Sequence, residues 1–232
     1  MKLPKLLLLS LLLGLFSSLS AQVTVTTGLN ANTYLQQFAG AGVKIVPGSA
    51  TITGEPEQIG TFSIANNSPN VGFSNGLILS SGDVNDAENQ ATFLASTGHG
   101  NPGDPGLDVL ASPYVTEDAV ILEFQFIPSG DTAKFQYMFA SDEYEQFAPP
   151  SPNAIYNDVF GFFISGPGIT GQENIALIPG TTTPVSINTI NPATNAQYYN
   201  SNVGAGFPFP GPAPNPNMVY GGFSDVLTAA RE

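Results

Sequence analysis

Two runs with a repeat of two, separated by a short turn, restrict this chain more than any other feature. In AVILEFQFIP, Val120, Leu122, Phe124 and Phe126 fall on one side while Glu123 and Gln125 fall on the other. In KFQYMFA, Phe135, Tyr137 and Phe139 repeat the pattern. Such alternation belongs to a half-buried strand, since a helix with its period of about 3.6 residues would scatter these side chains around its circumference. The Ser-Gly-Asp turn in IPSGDTAK predicts that the two strands close on each other as an antiparallel hairpin.

The rest of the chain extends this β character. VKIVPGSATITG, IGTFSI, GLILSSG, ENIALIPG and PVSINTI read as short strands, and DVFGFFIS is apolar on both faces, as a strand covered on both sides would be. With 25 Gly and 20 Pro, punctuation is too frequent for many helices. One helix is expected in LNANTYLQQFAG, where Asn30 or Asn32 caps, Leu35 and Phe38 share a face and Gly40 ends it. The stretch from Asp83 to Ser112 reads as a loop-rich crossing, and Asn191 to Met218 as one long surface loop. Faces of this kind are buried most simply by two packed antiparallel sheets. The predicted fold is therefore mostly β, an antiparallel β-sandwich of jelly-roll type with one short N-terminal helix.

Residues 1–21 have the composition of a signal peptide: Lys2 and Lys5, an apolar run from Leu6 to about Phe16, then small residues up to Ala21. That run is shorter than the ~20 residues of a membrane span, so no span is expected after cleavage. The single domain is expected over residues 22–232. Cys is 0, which excludes both lipidation at a cysteine and disulfide staples. The final GGFSDVLTAARE stops within an apolar segment, so the sequence reads as incomplete at its C-terminus, with further regions of a longer protein expected beyond it.

Without the signal, Lys44, Lys134 and Arg231 stand against 18 acidic residues. A chain with no basic footprint is not a nucleic-acid binder. Absent Cys and a lone His also exclude an ordinary zinc or copper site. Calcium asks only for oxygen ligands. Two groups supply them: Asp142, Glu143 and Asp158, with Glu145 and Asn157 nearby, are the first candidates for Ca2+, and Asp83 and Asp86 in SGDVNDAEN are weaker ones. The second group fails the EF-hand pattern, because Ala87 occupies a ligand position and Glu88 the place of the loop glycine. The competing expectation is that these carboxylates cap turns and face water.

Catalytic motifs are thin. GFSNG matches a nucleophile elbow in letters but precedes a strand, and His99 lies in the glycine-rich TGHGNPGD. GHGNPG matches a dinucleotide fingerprint but lacks the following helix. A carbohydrate-active enzyme would need two facing carboxylates and aromatic surfaces for sugar, for which Tyr144 and Tyr156 are the candidate ligand-binding residues.

The segments GTFSI, GLILSSGD, DPGLDVL, DAVILEFQFIPSGDTAKFQYMFASDEYEQF, NDVFGFFISGPG, NIALIPGTTTPVSIN and YGGFSDVLTA together resemble the choice-of-anchor L family of exported bacterial surface proteins. The resemblance spans roughly Asn30 to Ala230. It implies an extracellular or cell-surface domain, mostly β, held by varied C-terminal anchors, with adhesion the suggested role. It also implies a further strand pair after the Leu-Thr-Ala segment. The expected function is a non-enzymatic binding or adhesion module, calcium-stabilised, for an extracellular glycan or protein; a secreted carbohydrate-active enzyme and an architectural spacer are the alternatives.

Overall fold

The computed structural model describes residues 23–40, 42–65, 70–89, 94–203 and 215–232. The signal-peptide segment therefore lies outside the described residues, as does the middle of the Asn191–Met218 stretch. Among the described residues no helix is long and apolar enough to cross a membrane.

The fold is mostly β. Its strands are β1 (Val23–Thr26), β2 (Val43–Ile45), β3 (Thr51–Thr53), β4 (Ile59–Ile64), β5 (Asn75–Leu79), β6 (Ile121–Glu123), β7 (Phe126–Pro128), β8 (Ala133–Tyr137), β9 (Ala140–Ser141), β10 (Phe163–Ile164), β11 (Glu173–Asn174), β12 (Tyr199–Ser201), β13 (Gly222–Ser224) and β14 (Leu227–Arg231). Among the described residues two α-helices join them, α1 (Ala31–Phe38) and α2 (Pro105–Ala111). The strands build small antiparallel sheets in the orders β1-β4-β5 and β12-β13-β9, with pairs β2-β7, β3-β6, β8-β14 and β10-β11. No sheet closes into a barrel among the described residues.

The expected hairpin does not form. β7 pairs with β2 and β8 with β14, so distant strands hold the edges that the two runs would have offered each other. The runs meet through side chains instead: the Phe126 and Phe135 rings lie 6.0 Å apart, edge to face. Phe135 also stacks on Phe38 of α1 at 5.4 Å and packs on Phe162 at 4.5 Å. Both apolar faces were read correctly, and Phe126 and Phe135 point into one core cluster.

α1 forms where its signals predicted. The Asn30 side chain accepts from the Thr33 N–H at 3.0 Å, which satisfies one of the free donors of the first turn. The helix ends at Ala39 rather than Gly40. Tyr34 and Leu35 are buried, and the Tyr34 hydroxyl donates to Ile59 O at 3.0 Å, fixing α1 to β4.

α2 lies inside the segment expected to be loop. Its start is clear in hindsight: the Asp104 carboxylate accepts from the Gly106 and Leu107 N–H groups, and Pro105 occupies the first helical position. A 3-10 turn at Val84–Glu88 interrupts the same segment, capped by Asp83.

DVFGFFIS is covered on both sides, as expected, although only Phe163 and Ile164 form a strand. Phe160 packs on Tyr137 and Phe162 on Phe135, while the Phe163 ring lies against Gly106 of α2. PVSINTI forms isolated bridges, Val159 to Ser186 and Leu177 to Pro184, rather than a strand, yet Val185, Ile187 and Ile190 are wholly buried. The long loop after Asn191 is also more ordered than expected at its stem. β12 pairs with β13, and the buried Asn202 side-chain amide donates to Asn215 O, Met218 O and Tyr220 O.

Candidate functional site

Residues 142–157 leave the core between β9 and Val159 and return to it. The loop is closed at its base by one hydrogen bond, Ser141 Oγ to Asp158 Oδ2 at 2.6 Å, and the Glu143 N–H donates to the same Ser141 oxygen at 3.0 Å. A loop whose ends meet and whose own side chains fill it is an Ω-loop, a form often used for function. Tyr144 and Ala148 plug this one and are fully buried. The Tyr144 hydroxyl donates to Ile190 O, and its ring packs on Tyr199 at 4.9 Å. This corrects the expectation that Tyr144 offers a face to a ligand: its surface is spent on holding the loop down. Tyr156 remains 47% exposed and rests edge-on against Phe147 at 5.3 Å.

The structure brings the two acidic groups together. The Asp142 carboxyl is pushed up by burial, pulled back by the N–H of Ala95, and pushed up again by Asp86 and Asp158. Burial is also the main cause for Glu143, which Asp158 and Asp142 help to raise to about 7. Asp158 is raised by burial, and its bond from Ser141 offsets part of that. The Tyr220 phenol is held up by burial and then by Asp86, Asp142 and Asp83, so carboxylates of both groups lie within electrostatic reach of its hydroxyl. Nothing in the sequence marked Tyr220, because its neighbours lie far along the chain from it.

Several of these carboxylates also do local work. Asp83 accepts from the Asn85 N–H and side-chain amide at 2.8 Å each. Asp86 accepts from the Thr97 hydroxyl at 3.0 Å, and Asp142 from the Ala95 N–H at 3.3 Å. Glu145 accepts from the Tyr199 hydroxyl at 3.1 Å, and Asn157 donates to Ala111 O at 3.4 Å. Among the described residues no three acidic side chains converge closely enough to form a ready-made metal cage. Nor do the described residues bring a lysine or arginine into an ion pair with the group; the ion pair they contain, Arg231 to Glu173 at 3.2 Å, lies elsewhere.

The glycine-rich TGHGNPGD does cradle an anion, and the anion is the protein's own. Asp118, with φ of 52°, accepts from the His99 N–H at 3.0 Å and the Asn101 N–H at 2.6 Å. Burial raises its carboxyl, but the backbone bonds from Asn101, His99 and Gly100 together outweigh it and hold the group below the usual range. The amides that a phosphate would need are therefore occupied.

The model of the choice-of-anchor L domain family matches residues 22–232, nearly the whole chain. The chain belongs to the choice-of-anchor L family. Membership makes it an exported, cell-surface-associated protein, in agreement with its β-rich fold. No curated protein and no solved structure matches this choice-of-anchor L chain.

Proposed function

We propose that this choice-of-anchor L domain is a non-enzymatic binding module whose adhesive face is built around the 142–157 loop. The observation that carries the reading is where large apolar side chains are left in water. Ile155 (57%) and Tyr156 (47%) stand on the loop, and Val109 (76%) and Val115 (79%) flank the end of α2. The Asn157 bond to Ala111 O joins these two segments. Leu94 is 69% exposed beside Ala95, whose N–H is held by Asp142. Apolar groups gathered on adjoining exposed segments and rimmed by carboxylates are typical of a contact surface. Their chemistry favours a protein partner on a cell surface.

The carboxylates then set the shape of that face. Asp142, Glu143 and Asp158, with Asp86 and Asp83 behind them, gather carboxyl groups that no lysine or arginine among the described residues pairs with. We propose that Ca2+ binds there and draws the side chains together, ordering the loop. Asn at both Asp142 and Asp158 should abolish the rise in Tm that calcium gives and leave the Tm in chelator unlowered. An equal fall in both conditions would refute the calcium reading.

The binding reading is tested with purified protein and bacterial cells. Ile155→Ser combined with Tyr156→Ser should weaken retention on cells by about tenfold, as loss of a contact centre does, with Tm unchanged. Undiminished retention would overturn it. Glu143, raised to about 7, also suits a proton donor in glycoside hydrolysis. Release of sugar from polysaccharide that disappears in Glu143→Gln would put the enzymatic reading first.

A further inference from the structure

We infer that the outer face of the β1-β4-β5 sheet binds a neutral carbohydrate, through Thr24, Thr26, Thr61, Ser63, Asn75 and Gln37 gathered round one concavity. This site lies on different elements from the 142–157 loop and does not rest on the function proposed for it.

The placement follows from strand register. Thr24, Ser63 and Asn75 are cross-strand neighbours in one row, and Thr26 and Thr61 are partners in the next. Directly opposed residues of this kind have Cβ atoms about 4.5–5.5 Å apart. The alternation of the strands sends Val23, Val25 and Ile64 into the core, so the hydroxyl-bearing residues between them face outward. α1 covers one end of this face through the Tyr34 bond to Ile59 O. Gln37, further along the same helix, forms part of the rim. The result is a shallow concavity of about 190 Å³ lined by these residues together with Phe62 and Gly76.

Chemistry selects the ligand. The side chains of Thr24, Thr26, Thr61 and Ser63 bring four hydroxyls to the lining of this concavity. Each can both donate and accept, and the Gln37 and Asn75 amides add further donors and acceptors. A sugar ring presents the same mixture of hydroxyl donors and acceptors at similar spacing. Among the described residues no charged side chain lines the concavity, so a cationic ligand finds no counter-charge there. A polyanion meets a chain of formal net charge −13 and is repelled. An uncharged glycan suffers neither penalty. Because hydroxyl contacts exchange with water at small net gain, single-site binding is weak, and display of many copies on a surface supplies the avidity.

The test titrates the purified full chain with soluble neutral oligosaccharides of glucose, mannose and N-acetylglucosamine, using heparin as the charged comparator. Saturable binding to at least one neutral oligosaccharide is expected below about 10 mM. Thr61→Val combined with Ser63→Ala keeps the strand residues' shape and should weaken that binding by about fivefold or more at unchanged Tm. The Ile155→Ser/Tyr156→Ser protein should bind the sugar as the natural chain does. Absence of saturable binding to every neutral sugar, undiminished binding in the Thr61/Ser63 variant, or preference for heparin would each overturn the inference.

Discussion

Ser141 Oγ lies 2.6 Å from Asp158 Oδ2, and this one contact fastens both ends of the 142–157 loop. Ser141 is 3% exposed and accepts from the Glu143 N–H as well. Ser141→Ala should cost about 1–3 kcal/mol, because a half-buried carboxylate and an amide both lose their partner. Urea denaturation measures the loss. Limited proteolysis should show new cleavage within 142–157 and nowhere else, and an unchanged digestion pattern would contradict the fastening role.

Protonation of the same cluster gives a prediction with a definite sign. Glu143 is raised from 4.5 to about 7 in the folded protein, so between these values the folded chain holds a proton that the unfolded chain has released. The stability that Glu143 contributes in chelator is therefore fully present below about pH 4.5, falls as pH rises to about 7 and is gone above it. Asp142 and Asp158 shift in the same direction and steepen the fall. Glu143→Gln should flatten the slope. Saturating calcium should do so too, since the cation replaces the proton. A stability that climbs over this window would reverse the argument.

Asp118 serves two ends at once. Its carboxylate anchors the backbone of His99 to Asn101, and its own φ of 52° is one that Asn and Asp adopt more readily than other side chains. Asp118→Ala should lower stability by about 2–3 kcal/mol, combining unpaired amides with backbone strain. Asp118→Asn should cost clearly less, since it keeps the conformation and one acceptor oxygen. Equal costs in thermal denaturation would mean that the conformation contributes nothing.

Phe135 is the hub of the aromatic packing, touching Phe38, Phe126 and Phe162. Phe135→Ala should cost about 3–5 kcal/mol, and Phe135→Leu much less. Chemical denaturation curves of the two variants check this, and similar midpoints would show that the ring has no such central place.

Much of this was legible in short stretches of sequence. Alternation fixed the inward faces of Phe124, Phe126, Phe135 and Phe139, and the cap at Asn30 placed α1 to within a residue. What failed was partner choice. A turn between two good strands favours a hairpin locally, but β2 and β14 competed for those edges from far along the chain. α2 falls in the stretch that reads as a loop-rich crossing, because Asp and Pro favour turns as readily as helix starts. The two acidic groups were each visible, yet their electrostatic proximity depends on the packing of elements distant in sequence. The burial of Tyr144 was hidden for the same reason, since only the fold sets Ile190 O opposite its hydroxyl.

The partnerships also determine when the chain can fold. β8 finds its edge partner in β14, and the Phe139 N–H finds the Ser224 hydroxyl 85 residues later. A protein threaded through a secretion channel from its N-terminus emerges with β8 long before β14 follows. Until then the open strand edge is an invitation to pair wrongly, and such distant pairings close slowly. The surplus of negative charge acquires a second use here: it keeps waiting neighbours apart while each chain is still half delivered.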